Sequence, residues 1–457
     1  MENREKFSTR LGFILLSVGC AVGLGNIWRF PYITGQYGGA LFVLIYLAFV
    51  ILMGIPIMTM EFSVGRASQR SAATSFHVLE PKGSKWHIFS WFAMAGNYLL
   101  MMFYTTISGW ILFYFFYMIR GDFVGLTPDQ VGANFGAHVG SPFNNIMGMI
   151  LVCAIGFLIC AIGLRKGVER ITKIMMSCLF IIMIILAVRA VTLPGAAEGL
   201  RFYLVPNLDA VREYGLGEIL FAAMGQAFFT LSLGISSMAI FGSYIGKERS
   251  LMGESVNVVA LDTFAALMAG LIIFPACFAF GVNPGGGPGL IFVTLPNIFN
   301  EMPLGRFWGI LFFLFLLFAA LSTVVAVFEN IVAFAMDKLG WARKKASVIN
   351  GAAVVLLSLP CALGFNVWSG IRPFGGDSAI IDLEDFILSN NLLPLGALVY
   401  LLFCVYKSGW GCENFLEEAN SGKGLKFPRA VKPYVQFVLP ILFVAVFVFG
   451  YINFFSS

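Results

Sequence analysis

Charge is scarce in this 457-residue chain. Asp, Glu, Lys and Arg together make up 12% of it, about half the share of a soluble globular protein. Histidine is scarcer still. The three residues His77, His87 and His138 are scattered along the chain, outside its apolar blocks. That spacing argues against a transition-metal centre and against a histidine-based hydrolase. No nucleophile, base and acid gather in any one block, so an enzyme is not expected. Seven of the eight cysteines (Cys20, Cys153, Cys160, Cys178, Cys277, Cys361 and Cys404) lie in apolar stretches, and Cys412 lies in a polar loop. Without a pair in loops on an oxidising side, no disulfide framework is expected.

What the chain has instead is apolar surface. Hydrophobic residues are 59% of it, and the mean hydropathy is +0.87. They come in continuous blocks near the ~20 residues that a bilayer-spanning helix needs. Only helices and closed barrels satisfy their backbone in lipid. Barrel strands alternate in polarity, and these blocks do not, so they read as helices. The reading is an all-α polytopic membrane protein with eleven spans, at 11–35, 40–65, 88–119, 146–163, 168–192, 216–245, 255–281, 305–337, 346–365, 383–406 and 433–455. A short external helix is expected over 289–300. The stretch after Arg10 is too long for a signal peptide, lacks a small-residue cleavage site, and runs on through Asn26, Arg29 and Pro31.

Orientation follows from the basic residues. Most of the 29 Lys and Arg fall in alternate loops: Arg4, Lys6 and Arg10; Arg66, Arg70, Lys82 and Lys85; Arg165, Lys166, Arg170 and Lys173; Lys247 and Arg249; Lys338, Arg343, Lys344 and Lys345; and five between Lys407 and Lys432. The other loops hold only Arg120, Arg189, Arg201, Arg212, Arg306 and Arg372. The positive-inside rule then puts the N-terminus in the cytoplasm of a multi-pass cell-membrane protein, and eleven spans put Ser457 outside. The net charge of +5 reflects this topology, so no nucleic-acid partner is expected; the partner surface is the lipid bilayer.

The informative residues are those that spoil helices. Span 1 contains Gly19-Cys20-Ala21-Val22-Gly23-Leu24-Gly25-Asn26, and span 6 contains the run from Gly225 to Ser237 with Gly234 inside it. A single glycine in a membrane helix often serves only close packing. Two polar-flanked breaks five spans apart suggest two five-helix repeats, 11–192 and 216–406, with an additional helix at 433–455, in one transmembrane transporter domain over 1–457. Matching discontinuous helices point to a midplane binding site. Unwinding frees carbonyls for a hard cation, and the new half-helix N-termini favour an anion such as a carboxylate. One such site suits a zwitterion and a cation together.

Polar groups near the breaks extend this reading. Ser322 and Thr323 are paired in span 8, where bonding back to the i−4 carbonyl is the usual alternative to a ligand role. Asp262 and Glu61 are ionisable residues deep in spans, where such groups are expensive and functional by default. Glu61 also suits a brace for unwound backbone. Tyr104 in span 3 suits packing as well as binding.

The stretch Arg10-Leu11-Gly12-Phe13, followed by Ala21-Val22-Gly23-Leu24-Gly25-Asn26-Ile27-Trp28-Arg29-Phe30-Pro31, resembles the opening signature of the neurotransmitter:sodium symporters. The run Gly225–Gly234 resembles that family's sixth helix, and the likeness extends to about residue 455. Eleven spans instead of twelve resemble a bacterial subgroup that includes carriers of tyrosine and other hydrophobic amino acids, and the chain is also similar to the bacterial leucine transporter. The resemblance implies a leucine-transporter-like inverted five-plus-five repeat with broken helices 1 and 6. It implies sodium-coupled symport of an amino acid, a hydrophobic or aromatic L-amino acid, by alternating access. A sodium-dependent sensor or a channel-like protein on the same scaffold is the alternative, though no span shows the repeated polar residues of a channel.

Residue by residue, the resemblance implies two Na+ sites. The first uses the Ala21 carbonyl, Asn26, Thr230 and Asp262, with the substrate carboxylate. The second uses the carbonyls of Gly19, Val22 and Ala319 and the hydroxyls of Ser322 and Thr323. The substrate carboxylate meets the N–H groups of Leu24 and Gly25 and the Tyr104 hydroxyl. Its amine meets the carbonyls of Ala21, Phe229 and Thr230 and the Ser232 side chain. Its side chain lies among Cys20, Leu100, Phe229, Ser232, Ile235, Thr323 and Val327. The outer gate pairs Arg29 with Asp385 under a Tyr104–Phe229 lid, and the inner gate pairs Arg4 with Asp337 beside Phe7 and Tyr244.

Three departures modify the picture. Asp262 stands where many relatives have Asn, and Ala266 where the leucine transporter has Glu. A carboxylate at Asp262 would replace the chloride of animal members, so transport without chloride is expected. Gly167 is followed by Ser177 instead of the proline that relatives carry ten residues on, which puts a proline-based unwinding of helix 5 in doubt. Ile235 and Val327 replace larger residues and Leu100 a smaller one, which reshapes the pocket.

Overall fold

The computed structural model describes residues 6–282 and 289–456, with side chains to 452. Among them the regular secondary structure is all helical, apart from one isolated bridge between Arg249 and Lys423. Nine helices are long and apolar enough to cross a bilayer: Ala40–Ser68, Trp86–Arg120, Pro142–Ile162, Leu164–Val191, Leu251–Ala279, Gly305–Leu339, Arg343–Leu363, Ile380–Val405 and Arg429–Ile452. These are spans 2, 3, 4, 5, 7, 8, 9, 10 and 11. Span 1 is a pair, Arg10–Ala21 and Gly25–Gln36, bent by 51°. Span 6 is the helix Leu216–Thr230, a six-residue turn, and the short helix Ser237–Gly242. The expected external helix also forms, over Leu290–Glu301.

Local chemistry sets several of these limits. Thr9 caps the first helix, its hydroxyl accepting from the Gly12 N–H at 3.0 Å. Gly121, with φ +83, ends span 3 in the left-handed conformation. Gly163, with φ +113, stands between spans 4 and 5. Helix 5 starts directly after it and stays helical through Ser177.

Spans 3 and 8 have 35 residues each and would measure about 52 Å as straight helices, well beyond the ~30 Å hydrocarbon core. They pack along each other and against spans 4 and 9. The broken spans lie inside this frame. The first half of span 1 touches spans 5, 7 and 8, and the two halves of span 6 lean on span 2. Glycine permits the closest approach: a Cβ at Gly396 in span 10 would lie 1.9 Å from the Gly234 carbonyl oxygen.

One sequence reading is corrected here. His77 and His87 are not apart. Both Nδ1 atoms reach Glu80 Oε1, at 3.0 and 2.7 Å. The turn at Pro81–Ser84, closed by the Ser84 N–H on the Pro81 carbonyl at 3.1 Å, with Gly83 at φ +83, folds the chain back on itself. Contact across ten residues depends on that turn and is invisible in linear spacing. His138 does stand alone, on the helix Pro128–Val139 outside the spans, where Tyr117 Oη lies 3.1 Å from its Nδ1. Burial drives its imidazole down to about 4, so it is neutral.

Candidate functional site

The two breaks meet inside the bundle. In span 1 the helix stops at Ala21, Val22 turns extended (φ −70, ψ 95), and a π-helical turn resumes at Gly25. In span 6 the residues between Thr230 and Ser237 include three left-handed ones, Ser232 (φ +52), Gly234 (φ +94) and Ser236 (φ +64). For the two serines that conformation is strained. Side chains hold it in place. Ser232 Oγ donates to the Cys20 carbonyl at 3.1 Å. Tyr400 Oη donates to Ser236 Oγ at 2.7 Å. Asn97 Nδ2 donates to the Ile235 carbonyl at 2.7 Å, and Asn330 Nδ2 to Asn97 Oδ1 at 3.0 Å. Glu61 Oε1 accepts from the Gly234 N–H at 2.6 Å, a brace on unwound backbone of the kind expected of it.

The residues expected at the first cation site cluster. Asn26 Nδ2 donates to Asp262 Oδ1 at 2.8 Å and to the Asp262 carbonyl at 3.1 Å. Thr230 Oγ1 donates to Asp262 Oδ2 at 3.2 Å. Asn26 Oδ1 accepts from the Gly23 N–H at 3.2 Å, and the Gln226 amide holds the Gly25 carbonyl at 2.8 Å. Asn26, Thr230 and Asp262 are fully buried. The result is a dry carboxylate whose side-chain partners are an amide and a hydroxyl. An ionised Asp262 would be costly without a counter-charge, and its oxygens with the Thr230 hydroxyl are the hard donors that suit a small hard cation.

The residues expected at the second site also converge. Thr323 Oγ1 lies 3.2 Å from the Gly19 carbonyl oxygen and 3.3 Å from that of Ala319, and Ser322 Oγ lies 3.0 Å from the Ala319 oxygen. Both hydroxyls point at carbonyls, so the back-bonding alternative and the ligand geometry coexist. Val22 lies buried at the break.

Between the breaks lies a cavity lined by Cys20, Ala21, Gly23, Gly25, Leu100, Tyr104, Phe229, Ser232, Ile235, Thr323 and Leu393. Tyr104 Oη accepts from the Leu24 N–H at 2.9 Å. Val327 is buried but does not line the cavity. Leu393 does, and sequence reasoning passed over it, because it belongs to an unbroken apolar run. Asn97 and Asn330 were missed as well, although a polar residue inside a span is a readable signal.

Tyr104 and Phe229 also line a second, outer cavity with Leu24, Arg29 and Asp385, so these two rings form the partition. Above it, Arg29 Nη2 stands 3.5 Å from Asp385 Oδ2, with its guanidinium 4.7 Å from the centre of the Phe229 ring. At the opposite end, Phe7 and Tyr244 pack edge to face at 5.5 Å. Tyr244 Oη donates to Glu329, which also pairs with Arg343 at 2.7 Å. Asp337 Oδ2 accepts from the Ser71 N–H at 2.7 Å. Arg4, its expected partner, lies outside the described residues.

Comparison with known proteins agrees with this architecture. The family model described as the sodium:neurotransmitter symporter family matches residues 4–124 and 137–457. The uncharacterized sodium-dependent transporter YhdH of Bacillus subtilis is 36% identical over 97% of this chain and 96% of its own. An uncharacterized sodium-dependent transporter of Methanocaldococcus jannaschii is 32% identical over 97% of this chain and 89% of its own. The crystal structure of MhsT in complex with L-phenylalanine superposes with a TM-score of 0.89 at 41% identity, over 98% of this chain and all of that one. A membrane-spanning transporter and not an enzyme, this chain belongs to the sodium:neurotransmitter symporter family.

Proposed function

We propose that this protein is a sodium-coupled symporter that imports a hydrophobic or aromatic L-amino acid without a chloride requirement. The observation that carries the reading is the adjacency of a dry carboxylate to an uncharged cavity. Asp262 and Thr230 bring hard oxygens together beside the breaks, with the Asn26 amide bonded to the Asp262 carboxyl group. The cavity lining contains no Asp, Glu, Lys or Arg. A charged substrate side chain would be stranded there. The amino acid's own charges suit the breaks, its carboxylate at the Leu24 and Gly25 N–H groups and its amine at the freed carbonyls. MhsT, similar over nearly the whole chain, was crystallised with L-phenylalanine. The repeats 11–192 and 216–406 would rock around this site, with Arg29–Asp385 closing it outside and the Phe7–Tyr244 contact opening inside. The N-terminus is cytoplasmic in this scheme.

The energetics suffice. Each sodium ion moving down ~100 mV releases roughly 2.3 kcal/mol. A tenfold gradient adds about 1.4 kcal/mol. Two ions then supply roughly 7 kcal/mol per cycle.

Chloride is unnecessary in this scheme because Asp262 carries the compensating negative charge. Ala266, one turn away and fully buried, brings no polar side-chain atom. The test is uptake of labelled L-amino acids into proteoliposomes, with an inward sodium gradient or with potassium on both sides. Sodium-driven accumulation of hydrophobic amino acids, unchanged when gluconate replaces chloride, is the expected result. Loss of uptake in gluconate would refute chloride independence, and no accumulation by folded, inserted protein would refute the symporter reading.

A further inference from the structure

The histidines that linear spacing kept apart converge on one oxygen. His77 lies on the short helix Ser75–Leu79, Glu80 ends that helix, and His87 lies in the single turn Trp86–Ile88 that leads into span 3. His77 Nδ1 is 3.0 Å and His87 Nδ1 2.7 Å from Glu80 Oε1, and all three ligand atoms lie within 4.8 Å of one another. The rings stand nearly perpendicular, with centroids 5.4 Å apart.

Two imidazoles and a carboxylate on one point are more than a surface ion pair. As hydrogen bonds alone, both Nδ1 atoms would have to donate to the same oxygen. A metal ion instead takes a lone pair from each. In a tetrahedral zinc site, with bonds of about 2.0–2.1 Å, neighbouring ligand atoms lie about 3.3 Å apart. The two nitrogens therefore need to move outward from Oε1 by about 0.3 and 0.6 Å and to take up the same spacing from each other, from a present separation within 4.8 Å.

The support of the carboxylate points the same way. Glu80 Oε2 accepts from Ser84 Oγ at 2.8 Å and from the His87 N–H at 3.2 Å, the kind of outer hydrogen bonding that orients metal ligands. The Glu80 side chain is only 6% exposed, while His77 is 71% and His87 41% exposed. The buried oxygen is the fixed corner, and the open side leaves room for water as a fourth ligand. Lys82 and Lys85 lie in the same loop and weaken the attraction for a cation.

We propose that His77, Glu80 and His87 form a binding site for a transition-metal dication of the zinc class, on the loop that joins spans 2 and 3. The proposal stands apart from the sodium reading, since none of these residues touches the breaks. A bound ion would tie the turn before span 3 to the helix Ser75–Leu79. Phe76 of that helix packs on Phe89, Tyr400 and Phe403 at 4.9, 5.1 and 4.4 Å. The ion would thus fasten the start of span 3 to span 10 on the side marked internal by its basic residues.

The test is cobalt titration of the full-length protein in detergent, with its purification tag removed and metals stripped by chelator. One Co2+ per chain should give the intense visible bands of a four-coordinate ion, and Zn2+ should displace it. His77→Ala and His87→Ala should each weaken binding at least about tenfold, and the double variant should abolish the bands. Zn2+ should raise the thermal unfolding midpoint of the wild type and not that of the double variant. Because the His77 side chain is largely exposed, His77→Ala has little reason to misfold and carries the test on its own. No stoichiometric spectrum in the wild type, or an unchanged one in the double variant, overturns the proposal.

Discussion

The break in span 1 and the break in span 6 are chemically unlike, although they face each other. The first is short, turns without left-handed residues, and is held by groups that also suit ligands: Asn26, Tyr104 and, through Asn26, Asp262. The second has three left-handed residues and is held by Glu61, Asn97, Tyr400 and, behind Asn97, Asn330. None of these four lines the inner cavity. The difference separates two tasks. The strain of the second break is offset by hydrogen bonds from groups outside the cavity, although its own Ser232 and Ile235 line that cavity. In the proposed function the first is completed by what binds, and its side chains would then be where ligand energy enters the protein.

The largest effect is therefore expected at Asp262. Asp262→Ala leaves Asn26 and Thr230 without their shared acceptor and removes the buried charge beside them. Breaking a buried charged contact costs about 3–5 kcal/mol. That corresponds to a rise in the sodium concentration for half-maximal uptake on the order of 100-fold or more. Asn26→Ala should act in the same direction. The unfolding midpoint in sodium-free buffer should change much less than the sodium requirement. Normal sodium activation in both variants would remove the first break from the coupling path and dissolve the contrast.

Much of this contrast was legible in the chain. Gly23, Gly25 and Gly234 marked both breaks, because glycine weakens a helix interior and here it stands beside polar residues in otherwise apolar blocks. Asp262 and Glu61 were legible for a related reason: lipid penalises an ionisable group enough that its presence calls for a role. What stayed hidden depends on folding back. Leu393 reaches the cavity only because Gly234 and Gly396 let spans 6 and 10 touch. Val327 was expected in the pocket from the family resemblance, yet it does not line the cavity. His77 and His87 meet through a tight turn that periodicity does not record. A break can be read along the chain, whereas its braces come from other spans and need the third dimension.

A smaller effect is expected at Glu61, and in a different observable. Its carboxylate accepts from the Gly234 N–H at 2.6 Å and faces the N–H groups of Met238 and Ala239 at the start of the second half-helix. Glu61→Gln keeps the shape but loses the charge and one acceptor. Leaving a buried donor unsatisfied costs about 1–3 kcal/mol. Thermal unfolding in detergent should fall by a few degrees, with the sodium requirement of the surviving protein nearly unchanged. A shift in sodium requirement as large as that of Asp262→Ala would mean that the second break is also tuned by ions.

The smallest effect sharpens the comparison most. Tyr400→Phe removes one hydroxyl, whose hydrogen bond to Ser236 Oγ spans 2.7 Å in a fully buried setting. The ring keeps its packing on Phe76 and Phe89, so the loss is that of a single neutral hydrogen bond, about 1 kcal/mol. Ser236 sits at φ +64, and its strain is then opposed by one contact fewer. Hydrogen exchange should quicken at the N–H groups from Leu231 to Ser237 and stay as it was from Val22 to Asn26. Exchange that rises equally at both breaks would show that they open as one unit, and the division between a fixed break and a ligand-completed one would have to be given up.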